Sequence, residues 1–510
     1  MRIKRELNLN EWIVYLVAAI PPAIILFFIW KYGVNSLYWD DFRVFEYYKG
    51  LFDRGFNLSE IIVFQHNEHW MTVPVLVQCA IWWLTNCDNK IVLFASLAFF
   101  VASFLIVAHY ISKKEFGCWS ILPLSALFFA FKFSFIYYWP MCIQWPICLC
   151  VSLLSFLFFQ KAMEEMNARY VCGAIFCGVL ATLSGATGLL VWVSYLAIFL
   201  LQSVFDRPSN WKFFIRIFAL FLSVGAFFWI AYFRIWNGHT TAEPNSIGEF
   251  IRSLLANLLC IAVDDNYDSF TVSCSAVLLS LIGVLSIYLC INGKLRKYLF
   301  LFLTTGYAFG ATVVQTYARC AAGYIMGSQY CLWPTMFLTG GYLICLAAIK
   351  ESGISVAPFL KKLFPWGMFF AIMLISFSQI DTTLVWDAKW HQANAYTVQN
   401  YDKGPDSLIA QFIRVENYKE TLDWAKENEF FLFGDDRVYE YPFEDFYMAE
   451  ELEELYLPSR KSPQGPCAVD HVNGASTANR EIMLSPGKGF DLDGWALDED
   501  ASNIPSSVYL

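Results

Sequence analysis

The sequence predicts an all-α polytopic membrane bundle of about 11 transmembrane helices, followed by a C-terminal α+β tail domain. Three observations predict it. Of 510 residues, 57% are hydrophobic and only 15% are charged, against about 25% charged in soluble domains. Apolar runs of about 20 residues, the length needed to cross a bilayer, recur through the first 380 positions. Charge then splits. Residues 1–380 hold 25 Lys and Arg against 19 Asp and Glu, whereas residues 381–510 hold 10 against 25. A basic-flanked bundle (1–380) is thus joined to an acidic tail (381–510) whose charge reads as solubility rather than as a binding surface. Nothing in this balance calls for a nucleic-acid partner; the bilayer is the expected one.

The runs are 12–32, 91–111, 119–136, 141–160, 170–184, 188–205, 213–235, 272–291, 299–318, 329–349 and 362–380. The start, Met1-Arg2-Ile3-Lys4-Arg5, resembles a signal-peptide n-region, but the run after it has span length and no small-residue cleavage site. It is read as an uncleaved first helix. Two shorter stretches, 70–85 and 248–263, carry polar breaks. Lys and Arg in short loops mark the cytoplasmic side. With the N-terminus inside, Lys113-Lys114, Lys161 with Arg169, Arg207 with Lys212, Lys294 to Lys297, and Lys350 with Lys361-Lys362 all fall inside. That holds only if 70–85 and 248–263 lie along the interface. Loop 33–69 and the tail are then placed outside. The 15 cysteines sit mostly within apolar runs, where thiols act as small hydrophobes, and suggest no disulfide framework.

The tail opens with Trp386, Trp390 and a mixed helical stretch through Trp424. An acidic segment follows, Glu440 to Glu454, then Pro458, Pro463 and Pro466. The end, Ser507-Val508-Tyr509-Leu510, reads as a strand that begins and stops. Either the chain is truncated there or this strand pairs backwards.

Polar clusters that could carry chemistry collect at the ends of the runs. Asp40 and Asp41 follow the first run, between Trp39 and Phe42. Adjacent acids shift one another's titration, and a fixed carboxylate can serve as general base toward a hydroxyl. Only one of two neighbours can face a cavity; Asp41 is favoured, buttressed by Phe42, and the other is expected to cap a helix or pair with a cation such as Arg43. His66, Glu68 and His69 precede the stretch 70–85. They suit hydrogen bonding to a polar substrate, or capping of that helix, better than zinc, which favours His at i and i+4 on a helix. No cofactor is therefore expected, a divalent metal being the lesser alternative. Trp139, within Tyr137-Tyr138-Trp139-Pro140, and Gln144, within Gln144-Trp145-Pro146, form an aromatic loop suited to interfacial anchoring or to stacking on a sugar. Ser184 to Gly188 is a small-residue break. Arg319 lies at an outer helix end against the positive-inside trend, ahead of Gln329 and Tyr330. It either snorkels to water or pairs with phosphate, which guanidinium binds bidentately.

This succession resembles the GT-C class of membrane glycosyltransferases, which take sugars from polyprenyl-phosphate donors. The matching features are Trp39-Asp40-Asp41, His66-Asn67-Glu68-His69, the Trp139 to Gln144 loop, the Ser184 to Gly188 break and Arg319 ahead of Gly323. More narrowly, the chain is similar to bacterial and prophage proteins that decorate O-antigen (lipopolysaccharide modification) or other cell-surface glycans, including the serotype-converting glucosyltransferases, over about residues 10–350. The resemblance implies a GT-C-like catalytic bundle in the bacterial inner membrane, with a periplasmic site and tail. It implies an undecaprenyl-phosphate-sugar donor, a surface-glycan acceptor, and as partners a small flippase and the enzyme that makes the lipid-linked sugar. It gives the base to Asp40 or Asp41, the site wall to His66, Glu68 and His69, and the lipid phosphate to Arg319. The related pattern often has Arg where Gln329 stands. Alternatives are a lipid-linked glycan polymerase or ligase and a non-enzymatic transporter or flippase. A transporter would carry charges or broken helices near mid-membrane and repeated halves; the sequence has no internal repeat, and its polar clusters lie on one face.

Overall fold

The computed structural model describes residues 9–55, 60, 62, 64–66, 69–206, 210–235, 246–262, 269–319, 328–353, 358–403, 413, 418–434 and 437–439, with five short strands between 468 and 509. Helix dominates. Local chemistry sets several starts. Helix α1 (Leu9–Tyr32) breaks at Ala19, so Pro21 and Pro22 fall in the first turn of its second half, where a missing N–H costs no helix bond. After α2 (Asp41–Arg54), a hairpin of β1 (Gln65–His66) and β2 (His69–Trp70), and α3 (Thr72–Thr85), α4 (Asn89–Lys113) starts at Asp88, whose carboxylate accepts the Lys90 N–H at 2.8 Å.

The centre is built by α5 (Cys118–Tyr138), α6 (Pro140–Glu165), α12 (Leu299–Arg319) and α13 (Leu332–Glu351). The apolar windows of α5 and α6 are 83% buried, against 22% for α9 (Trp211–Ile235) and α11 (Ser269–Ile291). The outer helices expose Phe227, Ile230, Val277 and Val284, a surface suited to lipid rather than water. Helix α13 approaches closely on two sides. A Cβ at Gly340 would overlap Thr305 of α12, and one at Gly341 would overlap Ile282 of α11.

The connections gather at two ends. At one, Lys114 meets Glu164 at 3.0 Å, Lys294 and Lys297 meet Glu351 at 2.8 and 2.5 Å, Arg296 reaches the Met163 carbonyl at 2.6 Å, and Lys350 reaches the Lys114 carbonyl at 2.7 Å. Basic loops expected to share a side therefore share one end. At the other end, α3 starts against Leu183, which accepts the Val73 N–H at 2.9 Å, and finishes where Trp82 Nε1 donates to Asn89 at 2.7 Å. It lies across the end rather than through the bundle. Helix α10 (Ile247–Leu258) closes near the same end, Asn257 Nδ2 donating to Thr316 at 3.2 Å near the end of α12.

The sequence expectation is about 11 spans, and not all of the runs form helices of full span length. Among the described residues, nine helices have the length and composition of a span. Helix α7 (Ala168–Thr182) is only 15 residues, about 22 Å. It joins the two ends because its far end, together with the turn into α8 (Ala186–Phe205), sinks to the level of His69. Gly188 permits that turn, since a Cβ there would overlap the Ala181 carbonyl. The run at 362–380 becomes α14 (Pro358–Ser378), followed after a π-helical turn at Asp381–Val385 by α15 (Trp386–Gln399), with a 43° bend between. The run at 119–136 is a helix broken near Phe129 and Ala130.

Across position 380 the chain stays packed. Leu384, Ala388, Ala393 and Val398, then Leu422 of α16 (Tyr418–Glu427) and Phe430 to Leu432, belong to the same hydrophobic core as the bundle. Farther on, β3 (Ala468–Val472) pairs with β4 (Ala475–Ser476) and β6 (Leu492–Trp495), and β5 (Glu481–Met483) pairs antiparallel with β7 (Ser507–Tyr509). The last strand does run back onto an earlier one. The acidic segment Glu440 to Glu454 lies outside the described residues.

Candidate functional site

The site is built on the connection from α1 to α2. Trp39 takes a left-handed backbone, φ 44°, uncommon for a bulky residue. The turn stacks the Tyr38 and Trp39 rings at 4.5 Å and sends the next two carboxylates to different surroundings. Asp41 turns inward and is fully buried. It accepts the Tyr38 backbone N–H at 3.2 Å and the Gln78 amide at 3.5 Å, which ties the start of α2 to α3. Burial holds its carboxyl well above the usual carboxylate range; the Tyr38 N–H and the Gln78 amide offset this in part, and the neighbouring Asp40 adds to it.

Asp40 turns outward. Its side chain is 38% exposed and lies 3.1 Å from Nε2 of His66, itself 7% exposed. It makes no side-chain cap to α2, so its carboxylate stays directed at the imidazole. The expectation that Asp41 rather than Asp40 faces a cavity does not match this geometry: Asp41 is enclosed and Asp40 is the accessible acid.

The β1–β2 hairpin sets His66 opposite His69. Its return is anchored by the Ile62 carbonyl, which accepts from Trp70 Nε1 and, at 2.9 Å, from the Thr72 hydroxyl. His69 Nδ1 accepts the Ala186 N–H at 3.3 Å, which leaves the ring proton of neutral His69 on Nε2. The His69 ring meets Trp145 edge-on at 5.0 Å, and Trp145 in turn meets Tyr330 at 6.1 Å. Trp139 stands edge-on to Tyr38 and Trp39 at 5.5 and 5.7 Å. Gln144 is buried one residue before Trp145, its Oε1 without a hydrogen-bond partner among the described residues.

Asp40, His66, His69, Trp139, Gln144 and Tyr330 are therefore brought to one end of the bundle. Glu68 lies outside the described residues, as do the side chains of Arg319, which ends α12, and Gln329. Among the described residues no three His, Cys, Asp or Glu side chains converge as a metal site would require. Beside the site, an apolar groove of about 510 Å³ runs between α2 and α3, lined by Tyr47, Tyr48, Phe52, Val75, Cys79 and Trp83 among others.

Several neighbours were not expected from the sequence. His391 of α15 is buried with its ring 4.5 Å from Tyr38. Trp390 Nε1 donates to the Tyr38 hydroxyl at 2.8 Å. Ser134 of α5 donates to Asp387 at 2.5 Å. A signal was present: Asp387, His391 and Asn394 recur at i, i+4 and i+7, one face of a helix. The net acidic charge of the segment hides it. No protein-family model and no curated protein matches the chain.

Proposed function

We propose that the chain is a membrane glycosyltransferase that moves a hexose such as glucose from an undecaprenyl-phosphate-sugar to a surface glycan such as O-antigen. The observation that carries this reading is the Asp40–His66 pair, a half-exposed carboxylate aimed at a buried imidazole at one end of an apolar bundle. Asp40 takes the proton of the acceptor hydroxyl, whose oxygen attacks the anomeric carbon as the bond to the phosphate breaks. His66 orients the carboxylate. Trp139, beside Trp39, is the aromatic contact for the sugar, and Gln144, whose amide oxygen has no partner among the described residues, accepts from a sugar hydroxyl. The apolar groove beside the site suits the isoprenoid part of a substrate. Arg319 pairs with the leaving polyprenyl phosphate. In this reading the site faces the periplasm of the bacterial inner membrane.

The test is transfer from undecaprenyl-phosphate glucose to O-antigen glycan by purified protein in vesicles, with Asp40→Asn as the comparison. Sugar-labelled glycan from the wild-type chain and none from the variant is the expected result. No turnover of this or any other polyprenyl-phosphate hexose would set the reading aside.

A further inference from the structure

We infer that α15 is a positioning element of the active site: Asn394 and Trp390, from beyond the spans, fix the loop that aims Asp40. This rests on the reading of Asp40 as the base. Asn394 is fully buried, and its Nδ2 donates to the Leu37 carbonyl at 2.8 Å and to the Ser36 hydroxyl at 3.2 Å. Trp390 Nε1 holds the Tyr38 hydroxyl at 2.8 Å, and the His391 ring lies against Tyr38. From the opposite side, Asn89 at the start of α4 donates its backbone N–H to Asn35 at 2.7 Å and its side-chain amide to the Ser36 carbonyl at 2.8 Å.

Four consecutive residues, Asn35 to Tyr38, are thus gripped from two helices. The next residue is the left-handed Trp39, and the one after is Asp40. A bulky residue in that backbone region persists only where its surroundings over-determine it. The grip supplies that determination. Asn394 and Trp390 bond residues 36–38, ahead of Asp40, and so act through the loop. Helix α15 is held in turn by Ser134 through Asp387, and the π-helical turn at Asp381–Val385 re-aims the chain so that its polar face meets the loop.

The experiment compares wild-type, Asn394→Ala, Trp390→Phe and Asp40→Asn proteins in vesicles, by two readouts. One is hydrogen exchange over residues 36–42; the other is transfer from undecaprenyl-phosphate glucose to O-antigen glycan. Both α15 variants are expected to raise exchange over that segment. They are expected to lower kcat about tenfold or more, as small misplacements of a catalytic group do, to leave KM for the donor near wild type, and to shift the acidic limb of the kcat–pH profile. If Asn394→Ala does not fold, Trp390→Phe, which keeps the ring and loses one hydrogen bond, decides alone. An inactive Asp40→Asn beside α15 variants with wild-type kcat, pH profile and exchange would overturn the inference and leave the reading of the site standing. An active Asp40→Asn would overturn that reading, and with it the role given to α15 in aiming a base.

Discussion

Asp40 lies 3.1 Å from His66, with Asp40 half in solvent and His66 nearly enclosed. The next residue, Asp41, is sealed off and spends its two oxygens on Tyr38 and Gln78. Two adjacent acids of identical chemistry are given opposite surroundings after one left-handed residue.

Asp40→Asn keeps the shape of the side chain and removes the proton acceptor. It should lower transfer by 100-fold or more, the general range for loss of general base catalysis, with expression and donor binding near wild type. Activity in membranes of matched protein content checks this; a near-normal rate would remove Asp40 from the mechanism.

Asp41→Asn should act on stability. Its new amide group sets a donor against the Tyr38 N–H or the Gln78 amide, leaving a buried donor unmatched at a cost of about 1–3 kcal/mol. The pH dependence has a definite sign. Because the folded-state carboxyl is raised above its unfolded value, the native state binds the proton more tightly. That contribution to stability is complete below the unfolded pKa of about 3.9 and is lost as pH rises through the raised value. Wild-type Tm should therefore fall with rising pH relative to Asp41→Asn. Parallel Tm curves for the two proteins would contradict this.

Phe431→Ala should destabilise the bundle rather than an appended domain. Phe431 is buried against Phe45 at 4.7 Å and Trp82 at 5.6 Å, and loss of a core Phe costs about 3–5 kcal/mol. Thermal unfolding in detergent is the measurement. For the same reason a chain ending near Asn400 should lose stability, whereas one ending after Tyr439 should keep donor binding. Equal Tm for wild type and Phe431→Ala would mean that this packing contributes nothing.

Reporter fusions at Lys114 and Asn400 should face opposite sides of the membrane. Lys114 belongs to the basic end with Glu164, and Asn400 closes α15, which packs on the loop at 36–38. Both reporters on one side would rule out this arrangement.

Sequence alone determined the bundle and its two ends. Apolar run length, basic loops and parity are local quantities, and they place α3 across one end, where the structure has it. It also singled out Asp40, His66, His69, Trp139, Gln144 and Tyr330, because polar residues beside apolar runs are few. Three things were decided only by tertiary structure. Which of Asp40 and Asp41 is buried depended on the Trp39 backbone and on Gln78 arriving from another helix, neither of which spacing reveals. The short α7 qualified as a connection between ends only because its turn sinks to His69, a depth that hydropathy does not encode. Net charge makes the stretch after 380 look solvated, yet Asn394, His391 and Phe431 are buried. Charge is a sum over a segment, whereas burial follows the one helix face that meets a neighbour.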